Sequence, residues 1–234
     1  MPCNNLQCKY RDSLDDSSSS FQALPGVRHF IDHTCIPARN AYVPWAEIEE
    51  IFSSGKIHYA GQSIGLILAD TRELALEAVQ LVKVTYKNKK TLVTTLRDGM
   101  KDETRQITDF PDFFGFSPKQ VKVGDSAEEE KKEGLTTIEG ELELGSQYHY
   151  YMETLSAVCR PKEDRQIQLL VTTQWIDFTQ SLVAAALGIP KNHIDMEVKR
   201  LGGGYGGKAT PAMYIACATA VASWKVNKPV RYGF

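Results

Sequence analysis

The stretch VKRLGGGYGGKATPAM, residues 198–213, puts five glycines into positions 202–207 and follows them with a lysine. From Gly202 to Lys208 it fits G-x-x-x-x-G-K, and from Gly202 to Gly207 it fits G-x-G-x-x-G, both patterns of phosphate-holding loops. The chemistry is that of backbone N–H groups converging with a helix N-terminus on an anion. Each pattern breaks at a defined residue. A nucleotide P-loop needs a Ser or Thr hydroxyl directly after the lysine to coordinate magnesium. That position is Ala209, with Thr210 one residue late. A dinucleotide fold needs a further strand ending in Asp or Glu about twenty residues on, whereas a long helical segment and PVRYGF follow Gly207. A glycine turn with no ligand stays open. So many glycines, however, surrender enough backbone order that a close approach by something else is expected.

Other residues with chemical potential are sparse. Gln174, in VTTQWIDFTQ, sits where a strand ends, so its amide either caps free backbone groups or faces a ligand. His149, Tyr150, Tyr151 and Glu153 read as strand-packing and wall residues, Lys208 as the partner of a neighbouring carboxylate, and His193 as a solvated turn residue. Cys3, Cys8, Cys35, Cys159 and Cys217 are odd in number and scattered, which argues against a disulfide framework. Cys3 and Cys8 have no second Cys or His pair at ligand spacing, so a metal centre built from these side chains is not expected.

These residues must be positioned by regular elements. In SIGLILADTRELALEAVQLVKVTYKN, the apolar run 64–68 is a strand, and Asp70 and Glu73 have capping-box spacing. Leu74, Ala78, Leu81 and Val82 share a helical face, and Val84 and Tyr86 alternate as a second strand. Periodicity fades from Lys87 to Gly134, where DSAEEEKKEG carries dense mixed charge and reads as a solvated linker. In TTIEGELELGSQYHYYME, Ile138, Leu142 and Leu144 fall on one face of an expected strand, and 167–173 is another. Asp177 and Gln180 have cap spacing for a helix to Leu187, ended by Gly188 and Pro190. Ile194, Met196 and Val198 alternate as a strand before the glycine loop. Thr210 then caps a helix with Pro211 in its first turn, apolar on most sides and expected to be buried. The fold class is α/β, in the mixed α+β sense. Its expected divisions are a disordered tail at 1–20, a first unit at 21–90, a linker at 91–134 and a second unit at 135–234.

With 234 residues, 42% of them hydrophobic, the chain can bury a sizeable core. A formal net charge of -2 provides no general attraction for nucleic acid or an anionic membrane surface. No run reaches the length of a membrane span, and the polar N-terminus lacks the apolar core of a secretory signal. The chain is therefore read as cytoplasmic.

VKRLGGGYGGK, with the upstream VTTQWIDFTQSLVAAALGIPKNHI, resembles the first part of the molybdopterin-binding region of the xanthine dehydrogenase and aldehyde oxidase family of molybdenum hydroxylases. HYAGQSIGLILADTRELALEAVQLVKVTY and ALPGV resemble the hammerhead domain that precedes it there. The resemblance covers about residues 22–234 and implies a truncated hammerhead unit followed by part of a molybdopterin domain. It implies molybdenum held by the dithiolene of a pyranopterin, with Gln174 and Tyr205 near the metal and Gly204 and Gly206 beside the pterin. Most relatives have Phe at the position of Tyr205. Xanthine dehydrogenases carry a purine-binding glutamate directly after G-G-K, whereas aldehyde oxidases tend to have a small apolar residue. Ala209 therefore points to an aldehyde, or less directly an N-heterocycle, as substrate. The family's catalytic glutamate lies beyond Phe234, and its FAD and 2Fe-2S modules are not in this chain. The chain is expected to be an internal piece of a larger enzyme, inactive alone, whose relatives are homodimers. A non-catalytic orphan fragment and a P-loop nucleotide-binding module remain as alternatives.

Overall fold

The structure is a computed structural model that describes residues 6–8, 24–43, 49–87, 93–102, 123–132, 134–136 and 138–233. Its elements in chain order open with β1 (Leu6–Cys8), β2 (Val27–Ile31), β3 (Lys56–Ile57) and β4 (Leu66–Ala69). Then come α1 (Arg72–Gln80), β5 (Tyr86–Lys87), α2 (Leu96–Lys101) and α3 (Ser126–Glu129). The remainder is β6 (Ser156–Pro161), β7 (Ile167–Val171), α4 (Ile176–Leu187), β8 (Ile194–Glu197), α5 (Pro211–Val226) and β9 (Val230–Gly233). Two compact units result: Met1–Lys90 with His149–Phe234, and Thr91–Tyr148. This is the mixed α+β class expected of the sequence.

In the first unit, four strands form a sheet in the order β8-β7-β6-β9. Along β7, Ile167, Leu169 and Val171 are buried while Gln168 and Leu170 are half-buried, the period of two that a sheet covered on one face requires. α5 packs on β6, β7 and β9, and α4 packs on α5 and β8. α5 is rich in alanine, the strongest helix former, and begins at Pro211, whose missing N–H is harmless in the first turn. It is buried almost all round, as its apolar composition predicts, and Asn227 in the left-handed conformation (φ 49°) terminates it. The expected Thr210 side-chain cap is not made, because Thr210 already has helical backbone angles and its hydroxyl bonds no free N–H. α4 ends at Gly188, left-handed at φ 66°, as the sequence implies. It starts at Ile176, and Gln180 turns instead to the β8 approach, its Nε2 donating to the carbonyls of Lys191 and Ile194 at 3.2 and 2.9 Å.

The N-terminal part of the same unit pairs β2 with β4 antiparallel and lays α1 across them. Ala78, Leu81 and Val82 meet Ile67, Val27 and Phe30 there, the face that helical periodicity marks. The helix is capped by Thr71, whose Oγ1 accepts Leu74 N–H at 3.2 Å. Asp70 is instead held by Arg28, at 2.9 Å to Nε and 2.6 Å to Nη2. β1 pairs antiparallel with both β3 and β5, so regular structure reaches into a tail expected to have none. Three residues are too few to announce a strand, and long-range partners supply the ladder. The other residues of 1–20 lie outside the described set. Ile31, Ile51 and Phe52 join the core that α5 and β7 build, so this unit has one main core rather than two.

In the second unit, Thr95 caps α2 by accepting Asp98 N–H at 3.1 Å. The strand expected around Ile138, Leu142 and Leu144 is not formed: these side chains are 80–89% exposed and the segment has no ladder partner. Alternation specifies which face a strand would bury, but pairing needs a second segment, and none of the described residues supplies one.

Phe52 tests the shared core. Phe52→Ala removes a fully buried ring and should cost about 3–5 kcal/mol. Denaturation followed by circular dichroism and tryptophan fluorescence should give coincident, lowered transitions. A separate early transition confined to the N-terminal elements would refute a common core.

Candidate cofactor site

β7 and β8 are parallel and therefore finish at the same end of the sheet, where β6, antiparallel to β7, begins. Three segments meet there: 149–155 entering β6, 172–175 leaving β7, and 199–210 between β8 and α5. The carboxyl ends of parallel strands are where α/β sheets place ligands.

Gln174 supplies the first link. Its backbone N–H donates to Lys208 O at 2.9 Å, and its Oε1 accepts from Gly206 N at 3.0 Å and Lys208 N at 3.1 Å. Beside it the buried Thr173 Oγ1 lies 3.1 Å from Thr179 Oγ1 and accepts Trp175 N–H at 3.1 Å, fixing the turn from β7 into α4. Glu153 supplies the second link. Its Oε2 accepts from Gly202 N at 2.9 Å and from Lys208 Nζ at 2.6 Å, while its own N–H donates to Gly202 O at 3.2 Å. The Lys208 ammonium, and after it the Gly202 N–H, hold the Glu153 carboxyl below its ordinary pKa, against a smaller opposing effect of burial. The Lys208 side chain is completely buried, with Nζ 5.0 Å from the centre of the Tyr151 ring, a distance at which a cation is attracted to the ring face.

The glycines fit these neighbours closely. A Cβ on Gly202 would stand 2.6 Å from Glu153 Cβ, one on Gly204 2.6 Å from Gln174 Cδ and Oε1, and one on Gly207 2.6 Å from Tyr151 Cε1 and 2.8 Å from His149 Cγ. Glycine is needed where the loop lies against each side chain. Gly203, Tyr205 and Gly206 have φ of 88°, 53° and 88°, left-handed backbone of the kind in which successive N–H groups gather toward an anion. Among the described residues, the N–H groups of Gly203, Gly204 and Tyr205 enter no hydrogen bond. The loop is thus fastened at its ends and keeps free donors at its middle.

The structure brings Gln174, Gly204 and Gly206 together. Tyr205 is 74% exposed, so its hydroxyl needs no protein partner. Ala209, directly after the loop, is half-buried, its N–H donating to Gly206 O at 3.1 Å. His193 departs from expectation: it is half-buried, and its Nδ1 is shut from solvent with no hydrogen-bond partner. Glu153, read as a wall residue, is the acceptor that closes the loop. It lies 49 positions from Gly202, so no local pattern could join them. Lys208, buried and paired, is not available to a nucleotide phosphate, which removes the P-loop alternative. Among the described residues no cluster of His, Cys, Asp or Glu could hold a metal ion, and no helix is long and apolar enough to cross a membrane. A cavity of about 180 Å³ beside Glu153, Ser156 and Leu170 is below the roughly 300–1,000 Å³ of enclosed ligand pockets and does not include residues 203–206.

A clamped glycine loop with free N–H donors at the ends of parallel strands is a setting suited to an anionic ligand. Comparison with known proteins names the cofactor. Residues 110–234 match the molybdopterin cofactor-binding domain, and residues 13–90 match the a/b hammerhead domain of aldehyde oxidase and xanthine dehydrogenase. The chain is 34% identical over 219 residues to xanthine dehydrogenase/oxidase of Gallus gallus, covering 93% of this chain and 15% of that protein. It is 34% identical over 221 residues to aldehyde oxidase 3 of Rattus norvegicus, covering 94% and 15%. The aldehyde oxidoreductase of Desulfovibrio gigas has the same fold, with a TM-score of 0.70 at 19% identity over 98% of this chain and 25% of that one. Quinoline 2-oxidoreductase of Pseudomonas putida 86 gives 0.68 at 22% identity, over 98% and 29%. The chain belongs to the xanthine dehydrogenase and aldehyde oxidase family, and it spans about 15% of the length of the curated relatives it matches.

Gly204 tests the arrangement without any ligand. Gly204→Ala must push Gln174 aside and release the N–H groups of Gly206 and Lys208. Their amide exchange should quicken about fivefold to tenfold, the loss of roughly 1 kcal/mol per hydrogen bond. Unchanged exchange at both would show that Gln174 does not hold the loop.

Proposed function

We propose that this chain forms one wall of the molybdopterin site of a molybdenum-dependent oxidoreductase that hydroxylates aldehydes or N-heterocycles with oxygen drawn from water. The observation that carries the reading is the glycine loop itself, pinned by Gln174 and Glu153 with the N–H groups of residues 203–205 left without partners. In this reading Gln174, Gly204, Tyr205 and Gly206 face the cofactor, and the pterin rather than any side chain holds the metal. Bound there, the cofactor supplies a two-electron oxidation centre. The chain's own share is to orient it: backbone N–H groups donate to its anionic edges, while the Gln174 Oε1 stays committed to the loop.

Ala209 carries the choice of substrate. A methyl side chain next to the loop offers no acceptor to the N–H groups of a purine, whereas an aldehyde needs only an apolar wall. The remaining regions of a longer polypeptide supply the base, FAD and 2Fe-2S clusters, and a second copy completes a cytoplasmic homodimer. Relatives named for xanthine and for aldehydes match this chain equally well, so residue 209 and not overall similarity separates the two substrates.

The test is Ala209→Glu in a polypeptide that includes the remaining family regions. A carboxylate facing an aldehyde's hydrocarbon body is poorly solvated, at a cost of roughly 1–3 kcal/mol. kcat/KM for an aromatic aldehyde should fall about tenfold, since 1.4 kcal/mol is a factor of ten. An unchanged value would place residue 209 away from the substrate and withdraw the aldehyde preference.

A further inference from the structure

We infer that Glu153 and Lys208 are positioning residues for the cofactor: an ion pair between a fully buried ammonium and a half-buried carboxylate, closed through one carboxylate oxygen, that sets the pose of the glycine loop from both ends. The inference rests on the molybdopterin reading above and assigns this pair a task within it. Gly202 opens the loop and Lys208 closes it, and Glu153 Oε2 accepts from both, at 2.9 Å from the Gly202 N–H and 2.6 Å from the Lys208 ammonium. The two loop ends are thereby held within reach of one atom.

Lys208 is also the point where the three segments of the site join. Its N–H goes to Gln174 Oε1, its carbonyl accepts Gln174 N–H, and its ammonium reaches Glu153 across the face of Tyr151. Among the described residues Glu153 is the only carboxylate paired with it. Moving the pair shifts 149–155, 172–175 and 202–208 together.

Packing alone does not account for a fully buried ammonium at this place. Taking an ammonium out of water is expensive even beside a carboxylate that keeps some solvent, and an apolar pair of the same volume often supports a fold equally well. What an apolar pair cannot do is fix direction. The carboxylate satisfies the Gly202 N–H and the ammonium, and Gln174 satisfies the backbone of Lys208, leaving the N–H groups of residues 203–205 as the unpaired donors. The pair therefore serves the ligand more than the fold.

A double-mutant cycle in a polypeptide that includes the remaining family regions tests this, with three readouts: melting temperature, amide exchange across 202–208, and binding of molybdopterin, quantified by fluorescence after oxidative release. Glu153→Gln leaves a buried ammonium without its counter-charge. Exchange at Gly202 and Lys208 should rise tenfold or more, and molybdopterin affinity should fall by a similar factor. Lys208→Met leaves a carboxylate that can reach water, so its melting temperature should fall less. The double variant should melt like the parent yet still bind molybdopterin about tenfold more weakly, because charge balance is restored and direction is not. Recovery of both together in the double variant would make the pair merely structural and overturn the inference. Should Glu153→Gln fail to fold, the charge-balanced double variant decides alone. Should the parent take up no molybdopterin, the cofactor reading fails, and unchanged exchange between parent and double variant would overturn the clamp independently.

Discussion

An ammonium group with no access to water constrains everything around it. Lys208 can be buried only because Glu153 meets it at 2.6 Å and the Tyr151 ring lies beneath it. Glu153 can be there only because its segment enters β6 at the end of the sheet where β7 and β8 finish. The parallel pairing of β7 with β8, joined through α4, thus does more than build a sheet. It brings a strand exit, a strand entry and the glycine loop to one place, and the ion pair binds them there. Behind the loop, α5 is buried along most of its length, so the loop is mounted on an element with little freedom to move.

The glycines are the counterpart of that rigidity. Gly202, Gly204 and Gly207 are required by side chains pressed against them, Glu153, Gln174 and the His149–Tyr151 pair respectively. Gly203 and Gly206 are required by left-handed backbone. Tyr205 adopts the same backbone at φ 53° without being glycine, and its exposed side chain marks the place where the loop turns outward. A single loop therefore divides its glycines between close packing and unusual backbone, and two of its three free N–H groups, those of Gly203 and Tyr205, fall on left-handed backbone.

Much of this was legible in the sequence where the signal is local. The Ile167, Leu169, Val171 alternation, the Gly188 terminus of α4 and the all-round apolar face of α5 each follow from spacing within one element. Gln174 and the glycine loop were legible as a pair only through family resemblance, since 30 or more residues separate them and no periodicity joins them. What spacing could not reveal were interactions made by distant partners. Glu153 closing the loop, β1 finding β3 and β5, and Phe52 entering the core beneath α5 all depend on tertiary contact. The unpaired run at Ile138, Leu142 and Leu144 is the converse case, a strand pattern for which the described residues provide no partner.

The central claim is that the middle of the glycine loop faces molybdopterin. Amide exchange of the chain with and without molybdopterin tests it most directly, read at single residues across 198–213. Protection should appear at the N–H groups of Gly203, Gly204 and Tyr205, which have no partner in the chain, with little change at Gly206 and Lys208, already bonded to Gln174. Binding that leaves residues 203–205 exchanging as freely as before would contradict the account.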